Sequence, residues 1–244
     1  MNLGSNDCAF PLSVVILARN EERNIARSVS SVRWCDDVVV IDDGSTDQTM
    51  QIAEAAGARV LQHKFENFAA QRNWAMEHAS LRNEWVLHLD ADEVVTPELE
   101  RTLIEVLSNV PSDVSAFRMC RKTILGETWL KYSDGYPVWI MRLVRRDRGR
   151  FISHGHGEIA VPPVCGKMNT IREPFLHYAF SKGWADWIDR HNRYSTREAN
   201  LEASASREFC WGSLVWHRKE DRRKALREFS RKFPFRATLR FLYQ

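Results

Sequence analysis

Two apolar runs that each end in acids constrain this chain more than any other feature. Asp37-Val38-Val39-Val40-Ile41 opens into Asp42-Asp43-Gly44-Ser45, and Trp85-Val86-Leu87-His88-Leu89 opens into Asp90-Ala91-Asp92-Glu93. Short runs this apolar, with turn formers behind them, read as buried strands. Strands buried on both faces belong to parallel sheets covered by helices, and such sheets take ligands at the carboxyl ends of their strands. Two carboxylates one residue apart at a strand tip suit a hard divalent cation, Mg²⁺ or Mn²⁺, which prefers oxygen ligands and keeps positions open for phosphate oxygens. Either stretch alone reads as a solvated or capped turn. The two together, at the same end of two parallel-type strands, argue for a ligand.

The surrounding pattern supports a parallel sheet. Leu12 to Ala18 reads as a strand, followed by the polar loop Arg19-Asn20-Glu21-Glu22 and a helix through Val32. Ser45-Thr46-Asp47 reads as a helix entry, with Gly57 as the residue that stops that helix. Ala58 to Leu61 is a third strand, and Asn67 to Ala79 a helix with Phe68, Ala75, Met76 and Ala79 inward. Thr96-Pro97-Glu98 opens another helix, with a capping hydroxyl and a proline at its first position. From Val114 onward short strands are separated by Gly, Pro and charged turns, and Ile171 to Tyr178 is a last strand. Lys182 to Ala203 is a long helix, and basic helical segments follow to Gln244, broken at Pro234.

A chain of 244 residues can bury a full core in one domain, alone or with an appendage. No stretch approaches the apolar length of a membrane-spanning helix, and the N-terminus lacks the pattern of a secretory signal. The 5 cysteines are scattered without a CxxC pair, which fits reduced thiols in the cytoplasm and excludes a disulfide framework. The net charge of +3 hides an asymmetry, because residues 218–244 carry +7 and the rest of the chain −4. Such a tail, with Leu226, Phe229 and Phe233 along one side, suits contact with an anionic bilayer; its bland reading is a solvated basic helix. The chain has neither a GxxxxGK[ST] loop nor a GxGxxG turn. If it binds a nucleotide, a metal must neutralise the phosphates in place of a glycine cradle.

Four blocks in order, Leu12-Ser-Val-Val-Ile-Leu-Ala-Arg-Asn-Glu-Glu22, Val38-Val-Val-Ile-Asp-Asp-Gly-Ser-Thr-Asp-Gln-Thr49, Gln71-Arg72-Asn73 and Leu89-Asp-Ala-Asp-Glu93, resemble family 2 glycosyltransferases of the GT-A fold. Asp134-Gly135-Tyr136-Pro137, Met141-Arg142-Leu143-Val144-Arg145-Arg146, His156-Gly157-Glu158, Leu176-His177-Tyr178 and Asn192-Arg193-Tyr194-Ser195 are similar to the branch that adds glucose to lipopolysaccharide core. The resemblance implies an α/β GT-A domain, a Rossmann-like, mostly parallel central sheet flanked by helices. It would span residues 1–180, with a nucleotide half at about 10–110 and an acceptor half at about 111–180. Residues 181–244 would form a helical basic extension.

The resemblance also implies roles. Ala18, Arg19 and Glu21 would line the nucleotide pocket, and Asp42 and Asp43 would meet the uracil or ribose. Arg72 and Asn73 would face the same cleft. Asp90 and Asp92 would form the metal motif with Asp92 the more direct ligand, His177 would reach metal or diphosphate, and Gly135 would lie near the acceptor. Transfer with inversion needs a general base for the acceptor hydroxyl; Glu158 and then Asp134 are the candidates. The implied donor is a UDP-sugar and the acceptor a saccharide or lipid-linked saccharide, with Mg²⁺ or Mn²⁺ as cofactor and no nucleic-acid partner. The implied location is cytoplasmic, on the inner face of the cytoplasmic membrane where the acceptor is lipid-linked. A sugar-phosphate nucleotidyltransferase and a non-catalytic nucleotide-sugar-binding protein remain as rivals, as does a nucleic-acid-binding protein, the reading of the basic tail alone, against which the acidic body argues. Among the aromatics, Trp129, Tyr132, Tyr136 and Trp139 flank a glycine turn and are the candidates for stacking on sugar. Trp184, Trp187 and Tyr194, at helical spacing, are packing residues.

Overall fold

The computed structural model describes residues 10–132, 136–154, 157–161 and 166–204; for 153–161, 198 and 201–204 the backbone alone is described. In chain order the elements are β1 (Leu12–Ala18), α1 (Ile25–Ser30), β2 (Val38–Asp42), α2 (Thr49–Ala55), β3 (Arg59–Gln62), α3 (Phe68–His78), β4 (Trp85–Asp90), β5 (Glu93–Val94) and α4 (Pro97–Ser108). There follow β6 (Val114–Leu125), β7 (Thr128–Trp129), β8 (Trp139–Arg145), β9 (Arg150–His154), β10 (Gly157–Val161), β11 (Lys167–Thr170), β12 (Phe175–His177) and α5 (Trp184–Ser204). One compact unit runs from Met1 to Glu198, and the chain from Ala199 belongs to a second. Among the described residues no helix is long and apolar enough to cross a membrane.

Every residue of β1 and β2 is buried, as the unbroken apolar runs require of strands covered on both faces. Among the described residues ten strands form one sheet, ordered β3-β2-β1-β4-β8-β6-β12-β5, with β7 and β11 added to β6. The first four strands pair in parallel. On one face Leu12, Val14, Ile16 and Leu87 pack against Ile25 and Val29 of α1 and Leu99 and Leu103 of α4. On the other, Val15, Leu17, Ile41 and Val86 pack against Ala69, Ala75 and Met76 of α3. The second half joins differently. β8 is antiparallel to both β4 and β6, and β9 and β10 form a separate antiparallel hairpin. The sheet is therefore parallel in its amino-terminal half and mixed beyond it.

Local chemistry sets several boundaries as expected. Thr96 caps α4 by accepting from the Leu99 N–H, with Pro97 in the first turn, and Asn67 caps α3 through Ala70 N–H. Gly57 follows α2 at φ 97°, a conformation that favours glycine. The start of α2 differs from expectation. Ser45 and Thr46 lie outside the helix, which begins at Thr49. Their polar groups are committed elsewhere: Ser45 Oγ donates to Asp42 and accepts the Asn20 N–H, and Thr46 N–H donates to Asn20 Oδ1. Asp47 accepts from the Thr49 N–H in their place. The last strand is shorter than the run Ile171 to Tyr178, covering only Phe175–His177.

Candidate active site

The parallel register lines up the strand tips. Ala18 pairs with Asp42 across β1 and β2, and Leu17 pairs with Asp90 across β1 and β4. The acids therefore emerge at one sheet edge, with β1 between them, about 10 Å apart along the hydrogen-bonding direction. The loop after β1 is laced to the loop after β2. Asn20 takes a left-handed conformation (φ 52°), which asparagine tolerates better than most residues. From there Glu21 N–H donates to Thr49 Oγ1 and Glu22 N–H to Asp47.

Asp42 and Asp43, adjacent in sequence, have different surroundings. Asp42 is fully buried and accepts from the Ser45 N–H and hydroxyl, so its carboxylate shapes its own turn. Asp43 is turned outward, paired with the exposed Arg19 at 2.7 Å and accepting the Phe65 N–H at 2.8 Å. Gly44, at φ 63°, makes the reversal between them and Ser45.

Asp90 sits between two guanidinium groups, Arg72 of α3 and Arg142 of β8, each at 2.7 Å. Glu93 completes the bridge, its carboxylate accepting from Arg142 at 2.7 Å and from the Asp90 N–H at 2.9 Å. Burial opposes ionisation of Asp90, but the two arginines outweigh it and hold the carboxyl well below the usual range. Glu93 is pushed up to about 7, because burial and the Asp90 charge outweigh Arg142. His88, two residues before Asp90 on the same strand, is fully buried and has no hydrogen-bond partner among the described residues. Burial and the charges of Arg72 and Arg142 depress its pKa far below the ordinary value.

Asp92 is placed otherwise. Strand β12 pairs antiparallel with β5, His177 opposite Glu93, and the Tyr178 N–H donates to the Asp92 carbonyl. This brings His177 Nε2 to 3.5 Å from Asp92 Oδ2, with Arg190 of α5 at 3.8 Å. Both distances exceed a good hydrogen bond. His177 Nδ1 is buried without a partner among the described residues. Burial would lower the His177 pKa, yet the Asp92 carboxylate beside it raises the balance. Glu21 completes this edge: Lys182 Nζ lies 2.5 Å from its carboxylate and Asn24 donates to it at 2.7 Å. Burial and the nearby Asp92 raise its pKa against Lys182.

The structure thus brings Ala18, Arg19, Glu21, Asp43, Asp90, Asp92 and His177 to one edge. Arg72 lies beneath that edge as the support of Asp90. Asn73 exchanges two hydrogen bonds with the backbone of Phe151 and fastens β9 to α3; its amide is occupied there. Among the described residues no three His, Cys, Asp or Glu side chains gather as a ready-made metal cage. Asp92 and His177 are the donor pair with spare coordinating capacity, since Asp90 is held by arginines. Such a pair fits a divalent ion that draws its remaining ligands from diphosphate and water. Asp134 and Gly135 lie outside the described residues, as do the tail 218–244 and the side chain of Glu158, whose backbone pairs with Ser153 in the β9–β10 hairpin. Reasoning from the sequence did not single out Arg142, Glu93, Lys182 or Arg190. Glu93 adjoins the acid pair, and Arg142 lies in a run already matched to the lipopolysaccharide branch, so both were within reach.

Comparison with known proteins gives the family and the fold. Residues 13–166 match the model of the family "Glycosyl transferase family 2". The lipopolysaccharide core biosynthesis glycosyltransferase LpsC of Rhizobium meliloti is 27% identical over 213 residues, covering 85% of this chain and 77% of the relative. An uncharacterized glycosyltransferase of Rickettsia typhi is 39% identical over 90 residues, covering 36% of this chain and 30% of that protein. Among solved structures, Mycobacterium tuberculosis glucosyl-3-phosphoglycerate synthase, in complex with Mn²⁺, uridine diphosphate and phosphoglyceric acid, superposes with a TM-score of 0.52 at 16% identity, covering 81% of this chain and 80% of that one. S. aureus TarS superposes with a TM-score of 0.50 at 18% identity, over 92% and 81%. At these identities the superpositions establish the fold, and the family model covers more than half of the chain. The chain belongs to glycosyl transferase family 2, an enzyme family, and has the GT-A fold.

Proposed function

We propose that this enzyme transfers a sugar, glucose from UDP-glucose, onto a saccharide hydroxyl of a lipid-linked acceptor of the lipopolysaccharide-core or exopolysaccharide type, with inversion at the anomeric carbon. The observation that carries the reading is the meeting of Asp92 and His177 beside Asp90 at the edge where β1, β2 and β4 end. The Mn²⁺ and uridine diphosphate held by the mycobacterial synthase support it for the donor. The Rhizobium relative, a glycosyltransferase of lipopolysaccharide core biosynthesis, supports it for the acceptor.

Asp92 and His177 would hold Mg²⁺ or Mn²⁺. The bound cation would supply positive charge to the diphosphate as it departs. The protein's own residues do the rest. Arg72 and Arg142 keep Asp90 ionised and fixed in position, so that it can orient the donor's ribose and diphosphate. Asp43, held by Arg19 and the Phe65 N–H, presents a carboxylate rim to the nucleoside, with Ala18 as the floor beside it. Glu21 is tied to Lys182, which also reaches the Arg19 carbonyl at 3.5 Å. That lysine is therefore placed to exchange Glu21 for a donor phosphate. Glu158 or Asp134 would take the proton from the acceptor hydroxyl as it attacks. The basic tail would hold the enzyme on the inner face of the cytoplasmic membrane, where a lipid-linked acceptor resides.

A panel of UDP-, GDP- and dTDP-sugars with Mn²⁺ tests the donor assignment, with the product's anomeric configuration read by NMR. Selective turnover of UDP-glucose, abolished by EDTA, is the expected result. Turnover undiminished by chelation, or binding of UDP with no turnover of any donor, overturns it, the second outcome in favour of a non-catalytic nucleotide-sugar-binding protein. Co-sedimentation with phosphatidylglycerol vesicles tests the membrane contact.

A further inference from the structure

Strand β6 and the hairpin that follows it carry cations that the donor chemistry does not use. Lys122 lies 4.7 Å and Lys131 5.7 Å from the centre of the Trp129 ring, and Lys131 also lies 5.4 Å from the ring of Tyr132. Arg118 lies 5.6 Å from the ring of Trp139. Tyr136 meets Trp129 edge to face at 5.0 Å. Among the described residues, none of these three cations is paired with a carboxylate. The Trp129 Nε1–H is buried with no acceptor among the described residues. Tyr132 is 89% and Trp139 37% exposed, so the rings face solvent.

Topology places this cluster next to the reaction edge. β8 runs antiparallel to β4, and β6 runs antiparallel to β8. Residues of β6 beyond Cys120 and of β8 before Ile140, Lys122 and Trp139 among them, therefore project past the strand tip that carries Asp90, while Arg118, opposite Met141, lies short of it. Arg142, which grips Asp90, is three residues from Trp139 on the same strand, about 10 Å along it. Aromatic faces accept the C–H face of a pyranose ring. Ammonium groups gathered over such rings and not neutralised by a carboxylate bind an anion more strongly than scattered surface lysines do.

We infer that Lys122, Lys131, Arg118 and the rings of Trp129, Tyr132 and Trp139 form an acceptor subsite for an anionic saccharide, one bearing a phosphate or carboxylate on the sugar. The inference rests on the transferase reading for the word acceptor, and on the cluster alone for the binding of an anionic sugar. Saturation-transfer NMR and calorimetry with glucose 6-phosphate, galacturonate, uncharged glucose and inorganic phosphate test it. The two charged sugars bind about tenfold more tightly than glucose, because charge-assisted contacts are lost with the neutral sugar. They also outbind inorganic phosphate, which cannot stack. Lys122→Gln with Lys131→Gln removes about tenfold of that affinity. If the pair of changes unfolds the protein, Lys131→Gln alone, at an exposed position, gives a smaller loss in the same direction. Equal binding of charged and neutral sugars overturns the inference, as does inorganic phosphate binding as well as the sugar phosphate or variants that match the parent. Lysine-dependent binding of phosphatidylglycerol vesicles without sugar binding overturns it in favour of a lipid surface. UDP affinity, measured in the same samples, reports on the donor site separately. Its absence would sink the transferase reading and leave the charged-sugar result to stand or fall by itself.

Discussion

The two ends of the central sheet both carry buried acids, and the contrast between them separates carboxylates saturated by donors from those left open. At the amino end, Asp37 accepts the Ser13 hydroxyl at 2.5 Å, the Arg82 N–H at 2.7 Å and the Arg59 guanidinium at 2.7 Å. Burial would raise its pKa, but these donors more than offset it and hold the carboxyl below its ordinary value. Both oxygens there are occupied by donors, and the result ties β1, β2, β3 and the turn before β4 together. At the carboxyl end Asp92 has no such partners among the described residues, where His177 and Arg190 lie at 3.5 and 3.8 Å. A buried carboxylate with unused acceptor capacity and a neighbouring imidazole with a bare nitrogen are costly to maintain. The cost is expected where a ligand completes the set. Asp90 is intermediate, since its ion pairs with Arg72 and Arg142 are supplied by the protein and leave it about a third exposed.

Substitutions at the two ends should separate activity from stability, and the largest effect belongs to Asp92. Asp92→Asn should lower kcat for sugar transfer by about 10³-fold, the scale of several kcal/mol of lost charge stabilisation, with the melting temperature scarcely changed. Retained turnover would erase the distinction drawn between the two ends. Arg142→Met comes next. It strands Glu93 and Asp90 without their shared cation and should cost about 3–5 kcal/mol of stability, measured by urea unfolding. Adding Glu93→Gln should recover part of that loss, and no recovery would mean that the pair is not coupled.

Asp37→Asn should destabilise by about 2–3 kcal/mol, the value of buried hydrogen bonds to a charged group. The kcat of the folded fraction should stay unchanged, and a loss of turnover comparable to that of Asp92→Asn would count against a purely structural role. The pH dependence follows with its sign. The folded-state pKa of Asp37 lies below its unfolded value, so its contribution is present above the unfolded value, near 4. It is lost as pH falls through the folded value. Urea midpoints of the parent should therefore decline below about pH 4 more steeply than those of Asp37→Asn. Lys182→Ala should have the smallest effect, a several-fold rise in KM for the donor with kcat nearly intact. A fall in kcat alone would move Lys182 from donor binding to the chemical step.

Asp42 and Asn73 show where reasoning from residues reached its limit. Both occur in blocks that resemble the family's, and both are polar groups at the right height in the fold. Packing then directs Asp42 into its own turn and Asn73 onto the Phe151 backbone, 78 positions away in sequence. Trp184 and Ile188, at helical spacing with their neighbours, are about half exposed on α5; helical periodicity placed them on one side without showing what that side meets. The caps of α3 and α4 and the Gly57 stop were readable because each depends on groups within a few residues of the boundary.

The strands of the amino-terminal half, the end at which their acids emerge and the absence of a glycine cradle all follow from local runs and turn chemistry, whose free energies are decided within a few residues. The ionisation and accessibility of each acid do not. Asp90 owes its state to Arg72, 18 positions before it, and to Arg142, 52 positions after it. Asp92 owes its imidazole to a strand that returns to the sheet edge from the second half of the chain. A carboxylate's charge depends on what surrounds it within a few ångströms. Only the folded chain brings those surroundings together.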